Sequence, residues 1–176
     1  MKVDRKDFVL KEYESEAYED YPLPIGFGQT ISQPSTVYFM LKLLNPQKGE
    51  KILDLGSGSG WTTALLREAV GKTGKVFGVE KIPELVELGR KNISKYNFNN
   101  VQILQAEKLL GLPQEAPFDK ILVSASAKEI PQELVSQLKD KGIMVIPVEN
   151  DILRIEKGGR IEKYEGFVFV PLIKNE

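Results

Sequence analysis

Gly56-Ser57-Gly58-Ser59-Gly60 alternates glycine with serine directly after the apolar run Ile52-Leu53-Asp54-Leu55 and just before Trp61. Glycine at such a place permits positive φ and lets a ligand press against the backbone, so the loop is a candidate binding site. Its G-x-G-x-G spacing differs from the G-x-G-x-x-G of dinucleotide folds, whose last glycine lets a helix pack close beneath a pyrophosphate. A dehydrogenase is therefore disfavoured. Glu80, 24 residues after Gly56 and at the end of a second apolar run, is where an acid would accept both hydroxyls of a ribose. The plain alternative is a glycine turn beside a solvated acid; strand, loop, helix, strand and terminal acid in that order favour the ligand site. Trp61, at the head of the following helix, is expected to pack on neighbouring helices and stays outside the site.

The chain contains neither histidine nor cysteine. Thiolate nucleophiles, disulfides and zinc sites with Cys or His ligands are excluded, and no metal is expected. Any chemistry must use carboxylates, hydroxyls, lysines or the backbone. Lysine plus arginine number 24 against 25 aspartate plus glutamate, so no field attracts a polyanion and nucleic acid is a poor partner. The N-terminus lacks an apolar run of signal length, and no segment offers ~18 uninterrupted apolar residues. The expectation is a cytoplasmic protein with no membrane contact, and no leftover apolar stripe suggests anything but a monomer.

The elements that would position the loop and the acid follow from the apolar periodicity. Residues 1–24 are polar and acidic-aromatic and lead into Pro22-Leu23-Pro24, read as a helical arm that ends at the prolines. Val37, Met40, Leu41 and Leu44 share one face of a helix over 35–44. Strands at 51–55, 75–80, 101–105, 118–124 and 142–148 alternate with helices at 61–70, 83–96 and 130–138, which predicts a mostly parallel sheet covered on both faces. Residues 152–156 and 161–164 flank a glycine turn as a hairpin, and 166–171 supplies a further strand. One domain spans 1–176, with an N-terminal arm and substrate segment at 1–34, a cofactor-binding core at 50–150 and a C-terminal hairpin and edge strand at 151–176.

The D-x-G-x-G form from Asp54 to Gly58 resembles the S-adenosylmethionine loop of class I methyltransferases. That ligand carries an amino acid and an adenosine but no phosphate. The resemblance implies an α/β, Rossmann-like three-layer sandwich, with an antiparallel strand near the C-terminal end. Upstream stands Tyr21-Pro22-Leu23-Pro24-Ile25-Gly26-Phe27-Gly28-Gln29-Thr30-Ile31-Ser32-Gln33-Pro34, which is similar to the signature of the protein-L-isoaspartate O-methyltransferases. Ala116-Pro117-Phe118-Asp119, Ile130-Pro131, Val145-Ile146-Pro147-Val148 and Phe169-Val170-Pro171-Leu172 agree, so the resemblance runs from about residue 8 to residue 172.

The resemblance implies methyl transfer to the α-carboxylate of L-isoaspartyl residues in damaged proteins, whose ester can then close to a succinimide. By position, Ser32 matches the catalytic serine, and Ile25, Ser32, Ser124, Ala125 and Ser126 fall on the substrate side. Asp54, Gly56, Ser57, Gly58, Gly60, Glu80 and Lys81, with Thr30, Ile31, Ala106 and Glu107, fall to S-adenosylmethionine and its product S-adenosylhomocysteine. From residue chemistry alone, Ser32 could equally cap the helix that begins near Ser35. Where the family has Gly-Asp-Gly after the third strand, this chain has Ala106-Glu107-Lys108, whose Glu107 can still accept a bond from an adenine amine. Another acceptor, a small molecule or tRNA, and a cofactor-binding protein without turnover are the competing expectations.

Overall fold

A computed structural model describes residues 3–172; the ends of the N-terminal arm and of the C-terminal segment expected above lie outside these. Two short 3-10 helices, Arg5–Phe8 and Lys11–Glu16, open the chain. The expected continuous helical arm is absent. Asp4 accepts the Lys6 N–H at 3.0 Å, and Glu12 and Glu16, one turn apart, would repel on a single helix. The Arg5 guanidinium draws the following segment inward by donating to the carbonyls of Ala17 at 2.8 Å, Glu19 at 3.3 Å and Tyr21 at 3.1 Å.

Strands β1 (Leu23–Gly26) and β2 (Gln29–Ile31) then form a small antiparallel hairpin. Beyond Pro24 it occupies a segment that periodicity left without an assignment, because strands of four and three residues are too short to show alternation. Helix α1 (Pro34–Leu44) starts with proline in its first turn and stops at Asn45, whose left-handed φ of 49° sends its N–H back to the Leu41 carbonyl.

From Lys51 the alternation holds: β3 (Lys51–Leu55), α2 (Trp61–Val70), β4 (Lys75–Glu80), α3 (Pro83–Ile93), β5 (Val101–Gln105), β6 (Phe118–Val123), α4 (Gln132–Ser136), β7 (Leu138–Val148), β8 (Asp151–Glu156) and β9 (Ile161–Glu165). The seven-stranded sheet runs β5-β4-β3-β6-β7-β8-β9, parallel as far as β7 and antiparallel beyond it. Period-two alternation sorts the strands into two buried faces. Ile52, Val76, Leu122 and Val145 pack with Leu44, Leu66 and Val70 on the side of α1 and α2. Leu53, Phe77, Ile121 and Met144 pack with Leu112 and Leu134 on the side of α4.

Two expectations fail near the C-terminal half. The helix expected over 130–138 shrinks to α4, since Gln137 turns inward and its carbonyl accepts the Phe118 N–H at 2.8 Å as β7 begins. No strand forms over 166–171. The N–H groups of Gly166 and Phe167 both bond the Asn150 carbonyl, which turns the chain off the sheet edge. The segment then crosses to the end of β6 and pairs there only at Ser126 and Pro171.

Candidate active site

The chain leaves β3 toward β4 and β5 on one side, then returns to β6, β7 and beyond on the other. The carboxyl ends of β3 and β6 thus flank the point where strand order reverses, the place an open α/β sheet offers a ligand. A cavity of about 260 Å³ lies there. Its walls come from the glycine loop after β3, from Glu80-Lys81-Ile82 after β4, from Ala106 to Gly111 after β5 and from Ser124-Ala125 after β6. Ile25 and Gln29 to Ser32 of the hairpin segment close one side, and Val170-Pro171-Leu172 join them.

Gly56, Gly58 and Gly60 all have positive φ, at 79°, 50° and 86°. A Cβ at Gly58 would lie 3.1 Å from the Ile25 Cδ1, so the hairpin rests directly on the bare loop. Gly60 has a different task. Its Cβ would meet Ile103 Cδ1 at 3.1 Å and the Gly89 carbonyl at 3.3 Å, which makes it the contact that lets α2 cross α3, outside the cavity lining.

Glu80 is buried at the tip of β4, and backbone N–H groups hold its carboxylate. Oε1 accepts from Lys81 at 2.7 Å and Ile82 at 3.0 Å, and Oε2 accepts from Gly58 at 2.9 Å. Three bonds leave part of the acceptor capacity of a carboxylate for a ligand's hydroxyls. Next to it, the Ala106 N–H donates to the Glu80 carbonyl at 2.7 Å, and Glu107 lines the cavity from the same loop.

Asp54 does not reach the cavity, contrary to its expected role as a cofactor contact. Leu53 and Leu55 face α4, so alternation turns Asp54 to the other face and onto the first turn of α2. There one oxygen accepts from the Thr62 hydroxyl at 2.8 Å and the Thr63 hydroxyl at 2.6 Å, while the other has no partner among the described residues. Burial raises its pKa to about 6, with the nearby Glu80 adding to the rise and the two threonine bonds opposing it.

Ser32 lines the cavity at the end of β2 with no hydrogen bond from its hydroxyl to the described residues. It does not cap α1. Gln33 holds the cap position without a side-chain bond to the helix backbone, its amide donating to the Ser35 hydroxyl at 2.9 Å, and the Asp20 carboxylate accepts the Ser35 N–H at 2.8 Å. The Ser32 carbonyl instead accepts from Arg5 at 3.1 Å. Ser126, expected on the substrate side, donates to the Glu149 carbonyl at 2.9 Å and lies outside the lining.

Periodicity and motif missed three contributors. Trp61 does pack as expected, 3% exposed and edge-on to Tyr38 at 6.2 Å, yet it also walls the cavity. Its position directly after Gly60 was the available signal. Val170 to Leu172 reach the site because the chain leaves the sheet edge, which no local pattern announces. Gln137 is buried and shapes the loop after β5: it accepts the Leu112 N–H at 2.8 Å and donates to the Leu110 carbonyl at 2.8 Å and the Glu133 carbonyl at 3.0 Å.

S-adenosylmethionine fits these walls. Glu80 offers acceptors for the ribose hydroxyls, the Gly56 and Gly58 backbone offers close approach, and Ile82, Ala106 and Leu110 offer apolar surface for a flat ring. The profile of the family described as protein-L-isoaspartate(D-aspartate) O-methyltransferase matches residues 1–176. The protein-L-isoaspartate O-methyltransferase of Ignicoccus hospitalis is 45% identical over 184 residues, covering 100% of this chain and 87% of that protein. A solved protein-L-isoaspartate O-methyltransferase superposes with a TM-score of 0.89 at 25% identity, covering 99% of this chain and 59% of that longer one. A Plasmodium falciparum structure described as an enzyme of the same kind, in complex with S-adenosyl-L-homocysteine, gives a TM-score of 0.87 at 31% identity, covering 98% and 87% of the two chains.

Proposed function

Since the chain belongs to the protein-L-isoaspartate O-methyltransferase family, we propose that this cavity carries out S-adenosylmethionine-dependent methylation of the α-carboxylate of L-isoaspartyl residues in peptides and damaged proteins. The observation that carries the reading is that Glu80 and Ser32 line one cavity at the strand-order reversal. When bound, S-adenosylmethionine supplies a methyl group on a positively charged sulfur. Glu80 fixes the ribose through its free acceptor capacity, and the Gly56–Gly58 backbone lets the amino-acid end lie flush against the loop.

The acceptor carboxylate has a pKa of roughly 3.5, so it is already ionised near neutrality and no general base is required. That suits a wall in which no histidine is available. What remains for the protein is placement. Ser32 donates a hydrogen bond to one carboxylate oxygen and leaves the other aimed at the methyl group. Ser124 and Ala125 bound the acceptor at the end of β6, and Val170 to Leu172 add apolar surface to the wall. Holding reactants at near-attack distance is worth up to roughly 7–11 kcal/mol, enough to carry a substitution that needs no proton transfer.

Incubation with labelled S-adenosylmethionine and an isoaspartyl peptide should give a base-labile methyl ester, with none on the aspartyl control peptide. Equal labelling of both peptides, or none of either, would sink the assignment. Ser32→Ala removes a bond to a charged group, so kcat should fall by roughly 10- to 100-fold while the S-adenosylhomocysteine Kd measured by calorimetry stays unchanged. Glu80→Ala should do the reverse, weakening the Kd first.

A further inference from the structure

Gly26, Phe27 and Gly28 form a turn with three successive positive φ angles, 92°, 57° and 70°. Glycine adopts that conformation freely, but a phenylalanine there is strained, because its Cβ crowds the backbone. Strain of this kind persists where something other than folding selects the residue. Packing does not select it: Phe27 is 59% exposed, and a Cβ built at Gly26 or Gly28 meets nothing within 4 Å. The residue is mostly exposed, on a turn whose base is anchored. Leu23, Ile25 and Ile31 bury the hairpin, and Arg5 holds the carbonyls of Tyr21 and Ser32 on either side of it.

The turn also stands at the site. Gly26 pairs with Gln29, so Phe27 lies two residues from both Ile25 and Gln29, which line the cavity, and five from Ser32. An exposed apolar side chain thus sits on the turn that joins the two hairpin strands whose residues line the cavity. Resting on the acceptor assigned above, we propose that Phe27 is a specificity-determining contact: its ring packs on the side chain next to the isoaspartyl residue and selects acceptors whose neighbour there is bulky and apolar or aromatic.

The test uses isoaspartyl hexapeptides that differ only in one flanking residue, leucine or phenylalanine against glycine, varied on each side in turn. The wild type should show a lower KM for the apolar-flanked peptides on one side. Phe27→Asn places a residue suited to left-handed backbone in the turn and removes the ring. Relief of strain should raise the melting temperature by about 2–4 °C, while the KM for the preferred peptides rises roughly 5- to 20-fold. The glycine-flanked KM and the S-adenosylhomocysteine Kd should not move. Phe27→Leu, which keeps an apolar side chain, should retain most of the preference.

A lower melting temperature for Phe27→Asn would show that the ring holds the fold, and an unchanged peptide preference would show that it reads nothing; either overturns the proposal. If the wild type binds S-adenosylhomocysteine but esterifies none of the hexapeptides, the acceptor assignment itself fails and takes this inference with it.

Discussion

At the scale of single residues, Asp54 shows how alternation decides what a motif residue does. Within D-x-G-x-G the acid looks like part of the ligand site, but the strand sends it under the loop to hold Thr62 and Thr63. It sits at the N-terminal turn of α2, where a negative charge is favoured, yet it has no contact with water. Its pKa of about 6 lies above the unfolded value of 3.8, so the folded protein binds the proton more tightly than the unfolded chain. The associated stability is complete below about pH 4 and is lost as pH rises through about 6. An asparagine in its place would keep an acceptor for the two threonines without the buried charge. We expect Asp54→Asn to match the wild type in urea melts at pH 4 and to gain on it up to pH 7 by an amount on the order of 3 kcal/mol. A gap that is constant across that range would mean that Asp54 is not the group titrating. The motif made the loop legible in the sequence, together with Glu80 and Ser32, while the true partners of Asp54, Gly60 and Ser126 depended on which face each residue presents.

At the scale of elements, one side chain gathers the segment that follows the first short helix, while Phe8 and Asp7 tie that helix to Tyr96. Arg5 is buried and its two terminal nitrogens serve four carbonyls, from Ala17, Glu19, Tyr21 and Ser32, with the guanidinium over the Trp61 ring at 5.4 Å. Desolvation lowers its pKa, with Asp20 opposing that shift. Arg5→Ala leaves these carbonyls to find other donors, and we expect a loss of roughly 2–4 kcal/mol in chemical unfolding, together with faster proteolysis between residues 10 and 20. Lysine has one point of attachment where arginine has a fork, so Arg5→Lys should recover less than half of the loss. An arm as protected in Arg5→Ala as in the wild type would show that the helices, rather than this guanidinium, hold it. None of this was legible in the sequence. The strands from β3 to β6 were placed to within a residue because each is an apolar run between glycine-rich loops. The arm and the β1–β2 hairpin were not, because long-range bonds to carbonyls leave no periodic trace.

At the scale of the whole molecule, β-α alternation predicted a layered, mostly parallel sheet, and that is what forms, extended by two antiparallel strands at one edge. The order of the strands is a tertiary outcome, and so is the crossing of 166–172 over the end of β6. Both matter to the site, since one creates the crevice and the other adds Val170 to Leu172 to its wall. The wall that Trp61 adds to this crevice also makes the protein its own optical instrument. It is the only tryptophan in 176 residues, it is shielded from solvent, and it lines the cavity proposed to hold the cofactor. Intrinsic emission should therefore be blue-shifted in the free protein and should change on titration with S-adenosylhomocysteine, saturating at the calorimetric stoichiometry. An emission spectrum unmoved by a ligand that calorimetry shows to be bound would place that ligand elsewhere. With no label and no coupled assay, one residue's light would then report occupancy, the order in which cofactor and peptide arrive, and the rate at which product leaves.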